Sequence, residues 1–298
     1  MTDQVTSVEA FEAHRPLLVS VAYRMLGSLA EAEDVVQEAW LRWDRTDQDE
    51  IEVARAFLVR VTTRLAIDRL RRLKARRESY IGPWLPEPVL TDRDVAEDIE
   101  LAESVSLALL VVLETLSALE RAVFVLREAF GHSYAEIGEI IGRNEATVRQ
   151  LARRARDHVQ EGRARFDADQ GTRQRVTEQF LAACNSGDLS ALMVVLAPGV
   201  TLYADSGGRV RAPRRPIVGA DKVARFFLAV WTVAYPDWVG VPERPALEVR
   251  LARVNDGPGL IATADGKPVG ALVLEIADGV IQTIDLIANP DKLAGLRG

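Results

Sequence analysis

With 298 residues, 48% of them hydrophobic and 27% charged, the chain is long enough for two or three domains, and its net charge of −7 argues against indiscriminate nucleic-acid binding. A single cysteine, Cys184, excludes an internal disulfide framework and any cysteine-based zinc site, which fits a reducing cytoplasm. No signal-peptide pattern opens the sequence, and the longest apolar run, residues 107–113, stops at Glu114, so no membrane partner is expected.

The charge is laid out in blocks. Residues 1–52 carry 12 acids and 4 bases, residues 53–86 carry 9 bases and 2 acids, residues 87–103 carry 7 acids and 1 base, and residues 143–165 carry 7 bases and 3 acids. Such a chain meets phosphate in chosen places and is repelled from it elsewhere.

From residue 8 to residue 165 there is no strand-like alternation, and the segment reads as all-helical. Capping boxes at Ser28-Leu-Ala-Glu31, Ser117-Ala-Leu-Glu120 and Ser133-Tyr-Ala-Glu136 mark helix starts. In the acidic helix 31–43, Asp34, Gln37, Glu38 and Leu41 recur at three- and four-residue spacing and share a face that suits a protein partner or plain solvent. The next helix, residues 54–77, is strongly basic. Phe57, Leu58, Val61 and Leu65 form an apolar stripe, with Arg60, Thr63, Arg64, Arg71 and Lys74 on the other flank and Arg72 beside them. A membrane-surface helix has the same make-up, but the acidic helix offers the stripe a packing partner. The loop 44–50 is a candidate pocket for an unstacked base. A proline-rich break, Gly82-Pro-Trp-Leu-Pro-Glu-Pro88, and the acidic stretch after it separate this part from the next.

Residues 133–159 read as a helix-turn-helix. Ile137, Ile140 and Ile141 line the first helix, Gly142-Arg-Asn144 gives the turn with Asn144 as N-cap, and Val148, Leu151, Ala152, Ala155 and Val159 form the inner stripe of the second. Arg149, Gln150 and Arg153 on the outer face carry the hydrogen-bonding forks that read guanine and adenine edges; Arg154 and Arg156 suit phosphates. A helical pair with a solvated arginine face is the plainer alternative, and the glycine turn, caps and basic face together favour DNA.

After Gly171 the texture changes. Residues 173–185, 188–196 and about 221–235 suggest helices. Residues 199–205, 247–254, 259–264, 269–276 and 280–287 suggest strands, with Asp265-Gly266 and Asp278-Gly279 as hairpin turns. This is an α+β pattern. Tyr203 and Asp205 point the same way on one strand and, with Trp231 and Trp238, are candidates to line a pocket. No histidine falls within residues 172–298, and no metal or organic cofactor is indicated.

Several of these segments resemble a known family. Residues 17–26 (Leu-Leu-Val-Ser-Val-Ala-Tyr-Arg-Met-Leu), 32–43 (Ala-Glu-Asp-Val-Val-Gln-Glu-Ala-Trp-Leu-Arg-Trp) and 64–72 (Arg-Leu-Ala-Ile-Asp-Arg-Leu-Arg-Arg) resemble region 2 of bacterial extracytoplasmic-function sigma factors. Residues 116–156 resemble region 4. Trp84-Leu-Pro-Glu-Pro88 and Asn289-Pro-Asp-Lys-Leu293 resemble signatures of the subgroup with a SnoaL-like C-terminal extension, the SigJ type. The subgroup's Asp-Gly-Gly-Gly-Lys motif stands here as Asp205-Ser-Gly-Gly-Arg209, keeping the positive charge and losing one glycine.

The resemblance implies a multidomain fold. Region 2 is expected at 8–80, a linker at 81–104, region 4 at 105–166, and at 172–298 an α+β SnoaL-like (NTF2-like) domain with a curved antiparallel sheet. It implies a non-enzymatic factor that binds core RNA polymerase through Asp34, Gln37, Glu38 and Leu41. Promoter DNA would be met at −10 by Arg60, Thr63, Arg64, Arg71 and Arg72, and at −35 by Arg149, Gln150, Arg153, Arg154 and Arg156. The acidic linker would lie in the polymerase's nucleic-acid path or be a solvated tether. The C-terminal domain is expected to regulate. Trp84, Pro86 and Pro88 on a stiff segment would meet Asp205, Arg209, Asn289, Pro290, Asp291, Lys292 and Leu293, and a small ligand in the pocket could bias that contact. An isomerase or cyclase tethered to a DNA-binding segment, and a one-component repressor, are the alternative readings.

Overall fold

The computed structural model describes residues 7–47, 51–91, 106–163, 169–231 and 247–296; Trp238, the acidic stretch beyond residue 91 and part of the loop 44–50 lie outside these. The chain divides into two compact units. The first gathers the helices of both sigma-like segments. The second contains residues 79–91 and 106–108 together with everything from residue 169 on.

In the first unit the helices are α1 (Ser7–Glu12), α2 (Arg15–Leu26), α3 (Leu29–Asp44), α4 (Ala54–Arg77), α5 (Leu107–Glu114), α6 (Ala118–Phe124, continuing as a π-helical turn Val125–Ala129), α7 (Tyr134–Ile141) and α8 (Glu145–Arg163). Ser117 and Ser133 form full capping boxes with Glu120 and Glu136. At Ser28 only half a box forms: Ser28 accepts from the Glu31 amide, while the Glu31 carboxylate is taken by Arg69 of α4. An ion pair to another helix has displaced the local cap. The centre of this unit is α4, which packs against α2, α3, α6 and α7. Its buried face is accordingly wider than the expected stripe. Leu58, Val59, Thr62, Thr63, Leu65, Ala66, Ile67 and Leu70 are buried, whereas Phe57 and Val61 are only half-buried.

In the second unit, α9 (Gln170–Ser186), α10 (Leu189–Val195) and α11 (Ala220–Ala229) pack on one face of a six-stranded sheet. Its strands are β1 (Leu196–Asp205), β2 (Ile217–Val218), β3 (Leu247–Val254), β4 (Gly257–Ala264), β5 (Lys267–Ala277) and β6 (Val280–Ile287), in the order β2-β1-β6-β5-β4-β3. A short helix, α12 (Pro290–Leu293), follows. The pairings are antiparallel as expected, except that β1 and β6 run parallel, because β1 enters from a helix and not from a hairpin. Register shifts in β1, β4 and β5 place bulges that bend the sheet. Asp265-Gly266 and Asp278-Gly279 both have two positive φ angles, as type I′ hairpin turns require. The β3–β4 turn uses Asn255-Asp256 in the same way. Phe180, Leu192, Phe227, Leu260, Leu274 and Ile284 stand at the core between helices and sheet. Cys184 is buried there, and burial pushes its thiol up to about 12, so it stays protonated and inert. Among the described residues no helix is long and apolar enough to cross a membrane.

Candidate nucleic-acid and anchoring sites

The helix-turn-helix is built as its residues suggest. Gly142 ends α7 in the left-handed region, and Asn144 caps α8 by accepting from the Thr147 amide at 2.9 Å. Gly138 is needed for the close approach of the turn, since a Cβ there would sit 2.6 Å from the Arg143 carbonyl oxygen. Val148, Leu151, Ala152, Ala155 and Val159 are buried, fixing which side of α8 faces out. Arg149, Gln150 and Arg153 lie on that outer side. Arg149 is held by Glu145 one turn back, and Arg153 lies 4.0 Å from Asp157 with 85% of its side chain exposed. Arg154 and Arg156 turn back toward the body of the protein. Arg154 lies 3.7 Å from Glu120, and Arg156 bonds Glu128 and the Tyr134 hydroxyl, each at 2.9 Å.

The basic helix α4 departs from expectation. Thr63, proposed to face DNA, is fully buried and its hydroxyl has no partner. The reason is the width of the buried face, which runs on from Leu58 and Leu65 through Thr62, Ala66 and Leu70 to Thr63 and Ile67. Arg64 donates to the carbonyls of Ile140 at 2.7 Å and Glu139 at 3.0 Å, closing the C-terminal end of α7 where helix carbonyls lack partners. Arg60 remains exposed, its guanidinium 5.6 Å from the Phe57 ring centre. Arg71 and Arg72 are exposed beside Asp68. A cleft of about 510 Å³ opens beside Phe57 and Arg60, with Glu136, Glu139 and Ile140 of α7 on its other wall.

On α3, Asp34 lies 2.6 Å from Arg69, a residue the sequence did not single out, and Glu38 pairs with Arg42 at 2.9 Å. Gln37 is exposed, as is Leu41 at 51%. The four therefore do share an outward face.

A second site lies in the second unit. Residues 80–91 form an extended strap across it. Asp205, fully buried at the end of β1, accepts from the Tyr80 hydroxyl at 2.6 Å and the Leu85 amide at 2.8 Å, and pairs with Lys292 of α12 at 2.6 Å. Lys292 also donates to the Leu85 carbonyl and lies 3.9 Å from the Trp84 ring centre. Asn289 caps α12 and donates to Tyr80 at 2.9 Å. Burial, and then the bond to Asp205, hold the Tyr80 phenol well above its usual range. Farther along, Val89 exchanges bonds with Asn255, and Leu90 bridges to Val254. Pro86 and Pro88 are buried and Trp84 half-buried. Leu293 is buried, and Arg209 reaches Asp291 at 3.2 Å on the surface.

Tyr80, Asn255 and the Leu85 amide gave no signal in the sequence. The lost glycine is tolerated because Ser206 needs no positive φ, and its hydroxyl accepts from the Gly208 amide at 3.3 Å. Gly207 and Gly208 do have positive φ, and a Cβ on Gly207 would lie 2.6 Å from the Asn289 side chain.

The pocket expected from Tyr203, Asp205 and Trp231 does not form. Trp231 packs with Phe227 on the helix side, where Leu202 and Ala204 of β1 also point, so Tyr203 and Asp205 lie on the opposite face.

Residues 10–77 match sigma-70 region 2, and residues 106–159 match sigma-70 region 4. The chain is 40% identical over 296 residues to the ECF RNA polymerase sigma factor SigJ of Mycobacterium tuberculosis, covering 97% of this chain and 93% of that protein. It belongs to the extracytoplasmic-function sigma factors. A probable sigma factor of the same family and species, SigI, is 36% identical, with 97% of this chain and 95% of its own length covered. The crystal structure of M. tuberculosis SigJ matches with a TM-score of 0.76 at 37% identity, over 97% of this chain and 98% of that one. As a sigma factor the chain is not an enzyme.

Proposed function

We propose that this sigma factor docks core RNA polymerase through Asp34, Gln37, Glu38 and Leu41, reads the −35 element with Arg149, Gln150 and Arg153, and works in the cytoplasm. At −10 the reading is carried by Arg60, Arg71 and Arg72, with Arg64 available once it leaves α7. Arg154 and Arg156 support the recognition helix from behind and reach phosphates only by leaving their acidic partners. The observation that carries this is the outward face of α8, where Arg149, Gln150 and Arg153 stand clear of the buried stripe. The test is specific initiation on supercoiled promoter DNA by purified core polymerase with this protein. Arg149→Ala with Arg153→Ala should abolish −35 dependence, and unchanged promoter selectivity would reject the assignment.

The C-terminal domain acts as a regulator through the strap that follows α4. Asp205, Asn289 and Lys292 hold residues 80–85, while Arg209 and Asp291 close the rim. Pro86, Pro88, Pro290 and Leu293 stiffen or bury the two ends of that contact. A small ligand would enter beside Trp231, where an apolar cavity of about 30 Å³ lies among Phe226, Phe227, Val230 and Leu247. At that size it admits no organic molecule until side chains move.

A further inference from the structure

Within the first unit, one carboxylate joins the two promoter-binding regions. Glu114, at the end of α5 in region 4, accepts from Arg77 of region 2 with one oxygen and from Arg121 of region 4 with the other. Arg121 is fully buried and also donates to the Arg24 carbonyl of region 2 at 2.9 Å. Lys74 lies on the carbonyls of Glu114, at 3.1 Å, and Leu116. Three cations thus converge on Glu114. Burial, opposed by Glu114, lowers the proton affinity of Lys74 and Arg77, and repulsion from Arg121 lowers it further. Such a contact holds only while the carboxylate is charged and in place.

The same closed arrangement sets Glu136 and Glu139 of α7 across the cleft from Phe57 and Arg60, and occupies Arg64. Negative charge therefore stands beside Arg60 and Arg64, two of the cations proposed above for the −10 element.

We propose that Glu114 is the latch that keeps regions 2 and 4 packed as one body, and that promoter engagement requires this latch to release. This rests on the sigma-factor reading above. Neutralising Glu114 leaves Arg77 and Arg121 facing each other, so the contact between the two regions should open, while Arg121 also loses its partner within region 4.

The test uses the full-length chain labelled at Glu33→Cys and Gln160→Cys, both exposed, since buried Cys184 does not compete for dye. In Glu114→Gln, energy transfer between the dyes should fall, and specific initiation with core polymerase should rise by about tenfold at limiting protein. Far-UV circular dichroism checks that the helices persist. If Glu114→Gln does not fold, Arg77→Met carries the same expectation from the region 2 side. Unchanged transfer in the folded variant overturns the latch. Lower transfer with no gain in initiation overturns the claim that release is required. If neither the parent nor the variant initiates with core polymerase, the sigma-factor reading fails, and the release claim with it, while transfer still reports on the latch.

Discussion

Two carboxylates organise this molecule, and they are built differently. Asp205 meets one cation, Lys292, and three neutral donors, the Tyr80 hydroxyl and the amides of Leu85 and Gly207. Charge is balanced, and every donor, two of them on the strap, belongs to a single unit. Glu114 meets cations from two regions that repel one another. The first arrangement suits a permanent anchor and the second a contact made to open. Burial and ion pairing are common to both, so neither property by itself distinguishes a structural bond from a switch.

The anchor should give the largest effect when broken. Asp205→Ala leaves Lys292 buried without its carboxylate and strips the Tyr80 and Leu85 donors, a loss of about 3–5 kcal/mol by analogy with broken buried pairs. Urea melts should show the C-terminal unit destabilised, and limited proteolysis should cut within residues 80–91. A strap that stays protected would show that the anchor does not depend on Asp205. Gly207→Ala tests the same site through the backbone. Its φ of +57° and the 2.6 Å approach to Asn289 predict a loss of roughly 1–3 kcal/mol, read by the same melts.

The second unit also holds a carboxylate with neither kind of partner. Asp285 on β6 is fully buried, and neither of its oxygens has a hydrogen-bond partner. Burial, and then repulsion from Glu275 on β5, raise its pKa well above the usual carboxylate range. A folded-state pKa above the unfolded value means a contribution present at acid pH and lost as pH rises toward the folded value. Asp285→Asn should therefore raise the melting temperature at pH 7 by a few degrees and leave it nearly unchanged at pH 4. An equal shift at both pH values would show that charge is not the cause.

Much of this was legible in the sequence, and the failures share a cause. Local signals held: the capping boxes at Ser117 and Ser133, the Asn144 cap and the two Asp-Gly turns all formed. What local pattern could not show was which long-range partner each polar group would find. Thr63 looked solvent-facing on a wheel drawn for a helix buried on one side, and α4 is packed on several. Arg64 was one more cation on a basic helix until its carbonyl partners, 75 and 76 residues away, were known. Asp205 read as a candidate to line a pocket for the same reason. Beside the Gly207 amide two residues on, its donors come from residues 80, 85 and 292, and no window of sequence contains those three together.

The smallest effects should come from cations on α4, and they separate engaged from free charge. Arg71 is half exposed, 3.1 Å from Asp68, and that pair contributes little to folding. Arg71→Ala should leave the melting temperature unchanged while lowering the salt dependence of promoter binding by roughly one phosphate contact. Arg64→Ala makes the contrast. Arg64 serves the carbonyls of α7, so its removal loosens the closed body and also takes away a cation that DNA can use. The two consequences oppose each other, and the net change in promoter affinity should be smaller than for Arg71→Ala, with lower dye-to-dye transfer as the sign of opening. If both variants lowered affinity and salt dependence equally with transfer unchanged, Arg64 would be an ordinary phosphate contact, and its bonds to Glu139 and Ile140 would hold nothing shut.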